Sequence, residues 1–261
     1  MSYLDKIKLK NKKIYILGGC GLIGSKIVEN TLSIGAKVII LDIKKNKIPT
    51  NAKYQKFDCS NLEKLEKNFN KTIKKFGCPD IFINCSYPRT KDWSQCSFKK
   101  ITLKRIKKNV EIHMNSFAWL SKLAAEAMVK KKIKGNIINL NSIYGLLAQD
   151  LNIYEKTSMT ENMPYAMIKG GLANLTRQMA SYYGRFDIRI NGICIGGLKG
   201  HVAGKSSLQP KRFIKNYQKK VPLKRLGEPE EAANAITFMA SEASSYITGI
   251  NLIVDGGWTI I

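Results

Sequence analysis

No apolar run in this 261-residue chain approaches the ~18 to 20 residues that a membrane-spanning helix needs. The opening MSYLDKIKLKNKK carries charge but no apolar stretch, so no secretory signal is expected there. The six cysteines (Cys20, Cys59, Cys78, Cys85, Cys96 and Cys194) include no CxxC pair. That spacing argues against a zinc site and a disulfide framework, and suits a reducing, cytoplasmic compartment. No metal is expected. Acidic side chains are few: 19 Asp plus Glu stand against 44 Lys plus Arg, a net charge of +25. Such a balance can serve a polyanion. Here the excess is mostly lysine and runs along the whole chain, which favours a solvated surface over nucleic-acid binding and leaves room for an anionic substrate. No repeat, low-complexity linker or composition break divides the sequence. With 44% hydrophobic residues, a chain of this length can bury one large core, so residues 1–261 are read as a single domain.

Strand and helix patterns alternate along the chain. Residues 12–18 read as a short buried strand, followed by Gly18, Gly21 and Gly24 at three-residue spacing. A helical pattern with Ile27, Val28 and Leu32 comes next, then a second strand, 36–42, that ends in Asp42. This strand, glycine turn, helix, strand order is the frame a dinucleotide fingerprint requires. The glycines allow a tight turn and close approach of backbone to a pyrophosphate. The helix start, with Leu22 and Ile23, offers free N–H groups and a positive dipole. Asp42, 18 residues after Gly24, is placed to bond an adenosine ribose. Further strands are expected at 52–57, 80–84, 135–141, 188–194 and 251–255. Helices are expected at 61–76 with Ser60 as its cap, at 103–110, 114–131, 163–183 and 228–240. The segment from Gly196 to Lys220 reads as flexible and basic. The expected architecture is α/β: one doubly wound parallel sheet of about seven strands, a Rossmann fold.

Near the centre, Tyr165 and Lys169 stand four residues apart and share one face of the 163–183 helix. A phenol ordinarily titrates near ~10. A cation one turn away favours the phenolate, which makes the pair a plausible acid/base unit for a hydroxyl or carbonyl oxygen. Ser142, at the end of an apolar strand, could hydrogen-bond the same oxygen.

These landmarks, in this order, resemble the short-chain dehydrogenase/reductase family from end to end. The resemblance implies a nicotinamide cofactor held by Gly18, Gly21, Leu22, Ile23, Gly24, Asp42, Asp58, Cys59, Asn84, Gly196, Tyr165 and Lys169. Asp58 and Cys59 fall where the family contacts adenine, and Asn84-Cys85-Ser86-Tyr87 falls where it carries Asn-Asn-Ala-Gly. It implies that Tyr165 exchanges the proton, Lys169 lowers its pKa, Ser142 holds the substrate oxygen, and Asn115 supports a water linking Lys169 to solvent. Asp42 favours NAD over NADP, although Lys44 and Lys45 follow it. The C-terminal motifs around Pro222–Pro229 and Val254–Gly257 match the short branch of the family, whose members pair as dimers or tetramers through two long helices and the last strand. A homotetramer is expected.

Some positions depart from the family. Leu17 replaces a threonine, Tyr87 makes the cofactor wall bulkier, and Ile195 replaces a proline. The glycine spacing is closer to the extended branch, which keeps a sugar-nucleotide epimerase or dehydratase as the alternative function. Ser142 and Tyr165 are 23 residues apart, a longer gap than the family usually has. The insert, Ala148 to Thr160 within the segment 148–163, is polar, with Tyr154 and two carboxylates, and both its ends lead to catalytic residues. It is expected to wall the site and to bond a hydroxyl-rich substrate. Its run is similar to members found with flagellin-glycan and legionaminic acid pathways. The leading expectation is an NAD-dependent oxidoreductase acting on a carbonyl or alcohol, possibly of a sugar or nucleotide sugar. Tyr87 and Trp93 are expected at the pocket rim. Lys199, His201, Lys205, Lys211 and Arg212 are candidate contacts for an anionic group, and His113 is expected to be a packing residue.

Overall fold

A computed structural model describes residues 2–201 and 208–261. After a one-turn helix α1 (Tyr3–Ile7), the chain alternates in the order β1 (Lys13–Leu17), α2 (Leu22–Ser33), β2 (Lys37–Asp42), β3 (Lys53–Lys56), α3 (Leu62–Phe76) and β4 (Ile81–Asn84). It continues with α4 (Leu103–Asn109), α5 (Ser116–Lys130), β5 (Asn136–Ser142), α6 (Met163–Tyr183), β6 (Arg189–Ile195), α7 (Lys211–Lys220), α8 (Pro229–Ala240) and β7 (Asn251–Val254). The seven strands form one sheet in the order β3-β2-β1-β4-β5-β6-β7, with every pairing parallel. The order reverses between β1 and β4, the point where open α/β sheets form a ligand crevice at their strand C-termini.

Both faces of the sheet are covered, which is why its strands are apolar on both sides. Tyr15, Leu17, Ile39, Leu41 and Phe82 point to one face and pack with Phe69 of α3, Leu120 and Met128 of α5 and Met179 of α6. The alternate residues Ile14, Ile16, Val38, Ile40, Ile81 and Ile83 meet Ile27 and Val28 of α2 and Ile236 and Met239 of α8. Each fully buried side chain of this size contributes about 1.5–3 kcal/mol over leaving it in water. A third cluster holds Ile143, Ile153, Phe213, Tyr217, Val221, Leu226 and Trp258, and joins the insert to α7 and the C-terminal turn.

Three local expectations are corrected. Asn61, not Ser60, caps α3, accepting from the Lys64 N–H, while Ser60 donates its hydroxyl to Asp58 at 2.7 Å. The 114–131 helix starts with a π-helical turn, Val110–Asn115, that runs on from α4. The segment read as flexible contains α7, whose Phe213 and Tyr217 are buried.

Candidate active site

The C-terminal ends of β4 and β5 and the start of α6 converge at the crevice. Ser142 is the last residue of β5 and is buried, its hydroxyl accepting from the Tyr144 N–H at 3.2 Å. The turn after it crosses α6 closely: a Cβ on Gly145 would lie 2.6 Å from the Lys169 carbonyl oxygen. Only a residue without a side chain lets the strand end approach that helix, and this approach brings Ser142 to Tyr165. Pro164 opens α6 and Asn162 caps it, accepting from the Tyr165 N–H at 3.0 Å.

Ser142, Tyr165 and Lys169 are therefore brought together. Lys169 is buried, and its Nζ donates to the Leu140 carbonyl at 3.0 Å and lies 5.7 Å from the Tyr165 ring centroid. The electrostatics run opposite to the sequence-based expectation. Burial raises the Tyr165 phenol above its usual value, and the nearby Ser142 hydroxyl offsets only part of the rise. Burial also lowers the Lys169 ammonium to about 7. Desolvation penalises both charged forms and is the largest cause of each shift.

Aromatic rings enclose Tyr165. Tyr87 lies 5.9 Å away, Trp93 6.1 Å and Tyr144 6.5 Å between centroids, all edge to face. Asn115 does not join the group. It is exposed at the end of the π-helical turn, and no hydrogen bond of its side chain is formed among the described residues. His113, two residues earlier, is the residue that turns inward. It is fully buried, 5.2 Å from Tyr87 and 5.3 Å from Phe117, and neither ring nitrogen has a partner among the described residues. Burial holds its imidazole well below the usual range, and the positive Lys169 and Arg89 add to the effect. No periodicity in the sequence separated these two residues, because a π turn shifts which side chain faces the core.

The glycine turn has the form of a cradle. Gly18 takes φ +80°, and a Cβ there would lie 2.8 Å from the backbone of Cys85 and Ser86. A Cβ on Gly24 would collide with the Gly18 carbonyl oxygen. Gly21 caps α2 without a side-chain bond, so the N–H groups of its first turn, from Leu22 and Ile23 on, stay free for an anion. Asp42 ends β2, accepting from Cys20 N–H at 3.0 Å and Lys44 N–H at 3.2 Å. Asp42 thereby also supplies a turn hydrogen bond, where the family's threonine has been replaced by Leu17. Asp58 is exposed beside the buried Cys59. Asn84 is buried, with its oxygen on Ser86 at 2.7 Å and its amide nitrogen unpartnered. Gly196 meets Asp255, and the Gly197 N–H donates to the Tyr217 hydroxyl at 2.6 Å, a constraint on the turn that follows Ile195. These residues fit a dinucleotide: a carboxylate for the ribose, a cradle that side chains would fill, and a buried amide donor left over.

The insert is ordered structure. Gln149 accepts from the Asn162 N–H at 3.1 Å and from Tyr154 at 3.1 Å, and donates to the Asn162 carbonyl at 3.0 Å. The Asn162 side chain also donates to the Trp93 carbonyl at 3.1 Å. Asn216 of α7 donates to the Glu155 carbonyl at 3.1 Å, and Lys220 pairs with Asp150 at 2.7 Å. Asn162, Gln149 and Arg89 were not singled out from the sequence. The Asn-x-Pro start of α6 was the available signal for Asn162. Of the candidate anion contacts, Lys199 pairs with Glu228, Lys211 and Arg212 are exposed on α7, and Lys205 lies outside the described residues. His201 forms a bridge with Leu208. Among the described residues no group of three or more His, Cys, Asp or Glu is placed to hold a metal ion.

Comparison with known proteins fits this geometry. Residues 21–259 match a family model described as enoyl-(acyl carrier protein) reductase. The chain is 30% identical to the post-translational flagellin modification protein A of Campylobacter coli, over 96% of this chain and 99% of that one. It is 28% identical to glucose 1-dehydrogenase 2 of Bacillus subtilis, over 78% of this chain and 73% of that one. A short-chain dehydrogenase from Leptospira borgpetersenii, solved with bound NAD+, superposes with a TM-score of 0.86 at 31% identity, covering 99% of this chain and 96% of that one. The extended, epimerase-bearing branch suggested by the glycine spacing is not favoured by these matches, which are to a reductase family and to dehydrogenases.

Proposed function

The chain belongs to the short-chain dehydrogenase/reductase family and is an oxidoreductase of CH–OH groups, and we propose that it uses NAD(H) on a hydroxyl of a sugar or nucleotide sugar. The observation that carries this reading is the convergence of Ser142, Tyr165 and Lys169 at the strand ends, beside the glycine turn of α2. A bound nicotinamide supplies the hydride acceptor or donor. The chain's own residues do the rest. Gly18, Gly21, Leu22, Ile23 and Gly24 hold the pyrophosphate. Asp42 takes the adenosine ribose and repels a 2′-phosphate there, which favours NAD over NADP. Asp58, Cys59, Asn84 and Gly196 line the remaining cofactor groove.

In the reductive direction, the raised pKa of Tyr165 keeps its hydroxyl protonated at neutral pH, ready to donate to the carbonyl oxygen. Ser142 donates to the same oxygen and fixes its position. Lys169 in its cationic form stabilises the phenolate left behind. In the oxidative direction, Tyr165 receives the hydroxyl proton. The relay role expected of Asn115 does not suit an exposed side chain, whereas His113 faces Tyr87 and the charge of Lys169. Support for a sugar comes from the hydroxyl-bearing wall of Tyr87, Tyr144 and Tyr154 and from the glucose dehydrogenase among the relatives. A homotetramer and a cytoplasmic setting complete the proposal.

The test is Tyr165→Phe. General acid/base chemistry contributes about 10²–10⁴-fold, so the variant should lose turnover by about that factor against a panel of sugars and nucleotide sugars. Its calorimetric affinity for NAD+ should stay within about twofold of wild type, because a phenyl ring preserves the packing. Full activity in Tyr165→Phe would end this reading.

A further inference from the structure

Arg89 stands on the loop after β4, half-buried, in a chain where acids are scarce. A guanidinium has five N–H donors. Here Nη1 donates to the Tyr87 carbonyl at 3.3 Å, and the group lies over the Tyr87 ring at 5.3 Å. No carboxylate pairs with it among the described residues. The neighbouring cations differ: Arg105 holds Asp92 at 2.6 Å, Lys220 holds Asp150 at 2.7 Å, and Lys199 holds Glu228. Asp92, three residues along the same loop, is thus already engaged. The remaining N–H groups of Arg89 are taken by no protein acceptor among the described residues and are open to an anion.

The position of Arg89 says where that anion belongs. Tyr87 adjoins both Arg89 and the proposed acid/base residue: its ring lies 5.3 Å from the guanidinium and 5.9 Å from the ring of Tyr165. The anion therefore sits several bonds from the reacting carbon, not on the atom next to it. Tyr87 and Tyr144 also face Tyr165, and Tyr154 hydrogen-bonds Tyr144; burial keeps the phenols of all three in their neutral, hydrogen-bonding form. A neutral phenol both donates to and accepts from substrate hydroxyls. The cofactor's own phosphates are served elsewhere, by the glycine turn and the α2 N-terminus.

We propose that Arg89 anchors an anionic group of the substrate, a carboxylate or a phosphate, so that the substrate is an acidic polyhydroxy compound whose reacting hydroxyl lies several bonds from the anion. This deepens the preceding reading and rests on it for the identity of the reacting end. A planar guanidinium suits either oxyanion through paired N–H bonds.

The experiment is calorimetric titration of the full chain, with and without saturating NAD+, using three matched probes: glucitol, gluconate and glucitol 6-phosphate. Wild type should bind at least one of the two anions about tenfold or more tightly than neutral glucitol. Which anion binds tighter identifies carboxylate or phosphate as the source. Arg89→Met should abolish that preference while leaving the thermal midpoint and the NAD+ affinity near wild type, and Arg89→Lys should keep part of it. Equal binding of all three probes by wild type, or no binding of either anion, overturns the proposal. So does an Arg89→Met variant that keeps the preference, or one that loses NAD+ affinity instead, since Arg89 would then serve the cofactor. Failure of wild type to bind NAD+ strikes the oxidoreductase reading alone, because the titrations without cofactor still judge Arg89.

Discussion

Burial leaves the Lys169 ammonium with a single hydrogen bond among the described residues, to the Leu140 carbonyl, and brings its pKa to about 7. In the proposed mechanism carbonyl reduction uses the cationic lysine beside a protonated Tyr165, so its rate should fall as pH rises through about 7. Alcohol oxidation should rise over the same interval, and Lys169→Met should remove both limbs; a flat wild-type profile between pH 6 and 8 contradicts this. The same shift has a stability consequence of fixed sign. An unfolded lysine keeps its proton to about 10.4, whereas folded Lys169 releases it at about 7. Between these values the unfolded state binds more protons, so stability rises with pH from about 7. Toward pH ~9 the buried thiols Cys59 and Cys194 and the half-buried Cys78, each raised to about 11, begin to act in the opposite sense, since the folded state then holds the extra protons. Tyr165, Lys169 and Ser142 were legible in the sequence because type and spacing mark them. The direction of their pKa shifts was not, because it depends on how many rings from distant segments close over them. Asn115 was misplaced for a related reason: helical spacing counts by 3.6, and the π turn at Val110–Asn115 breaks the count.

The start of α6 is held from three directions at one residue, twice through its side chain and once through its backbone. Asn162 caps Tyr165, reaches the Trp93 carbonyl at 3.1 Å, and is clasped by Gln149 from the insert. The insert thus fixes the helical turn that carries Tyr165, the proposed acid/base residue. Removing an N-cap side chain costs about 1 kcal/mol, and a small shift of a reacting group can cost far more in rate than in stability. Asn162→Ala should therefore lower kcat by about tenfold or more, while NAD+ affinity stays near wild type. Asn162→Asp retains the cap acceptor but loses the donor to Trp93, so it should fall between the two. Steady-state kinetics beside calorimetry separates the effects, and an Asn162→Ala enzyme with unaltered kcat refutes the positioning role. The sequence showed that an insert was present and where its ends lay. Its pairing with α7 through Asn216 and Lys220 was beyond reach, because irregular segments carry no periodicity and their partners are distant in the chain.

At the scale of the whole molecule, each strand of the sheet was legible to within about two residues, because apolar runs between glycine and helix signals leave few alternatives in a doubly wound sheet. What the surface does was less legible, because exposure is settled only once the helices are docked. Two sets stand out among the apolar side chains that remain in water. One follows the edge strand β7 and the C-terminal turn: Tyr246, Ile250, Ile253, Ile260 and Ile261 are exposed, with Leu223 close in the chain to this end. The other lies on α5 and α6, where Trp119, Met167 and Tyr182 are exposed. An open sheet edge and exposed apolar patches are features that soluble chains usually cover. Two separate self-complementary patches on one subunit generate a tetramer of dihedral symmetry, whereas one patch gives only a dimer. The +25 charge of each chain works against association, so apolar burial at the two patches has to outweigh it. Light scattering should therefore return about four times the 29.3 kDa chain mass. Ile253→Lys should leave dimers joined through α5 and α6, and Trp119→Glu should leave dimers joined through β7, with the double variant monomeric. A monomeric wild type, or a tetramer indifferent to both substitutions, rules out this assembly.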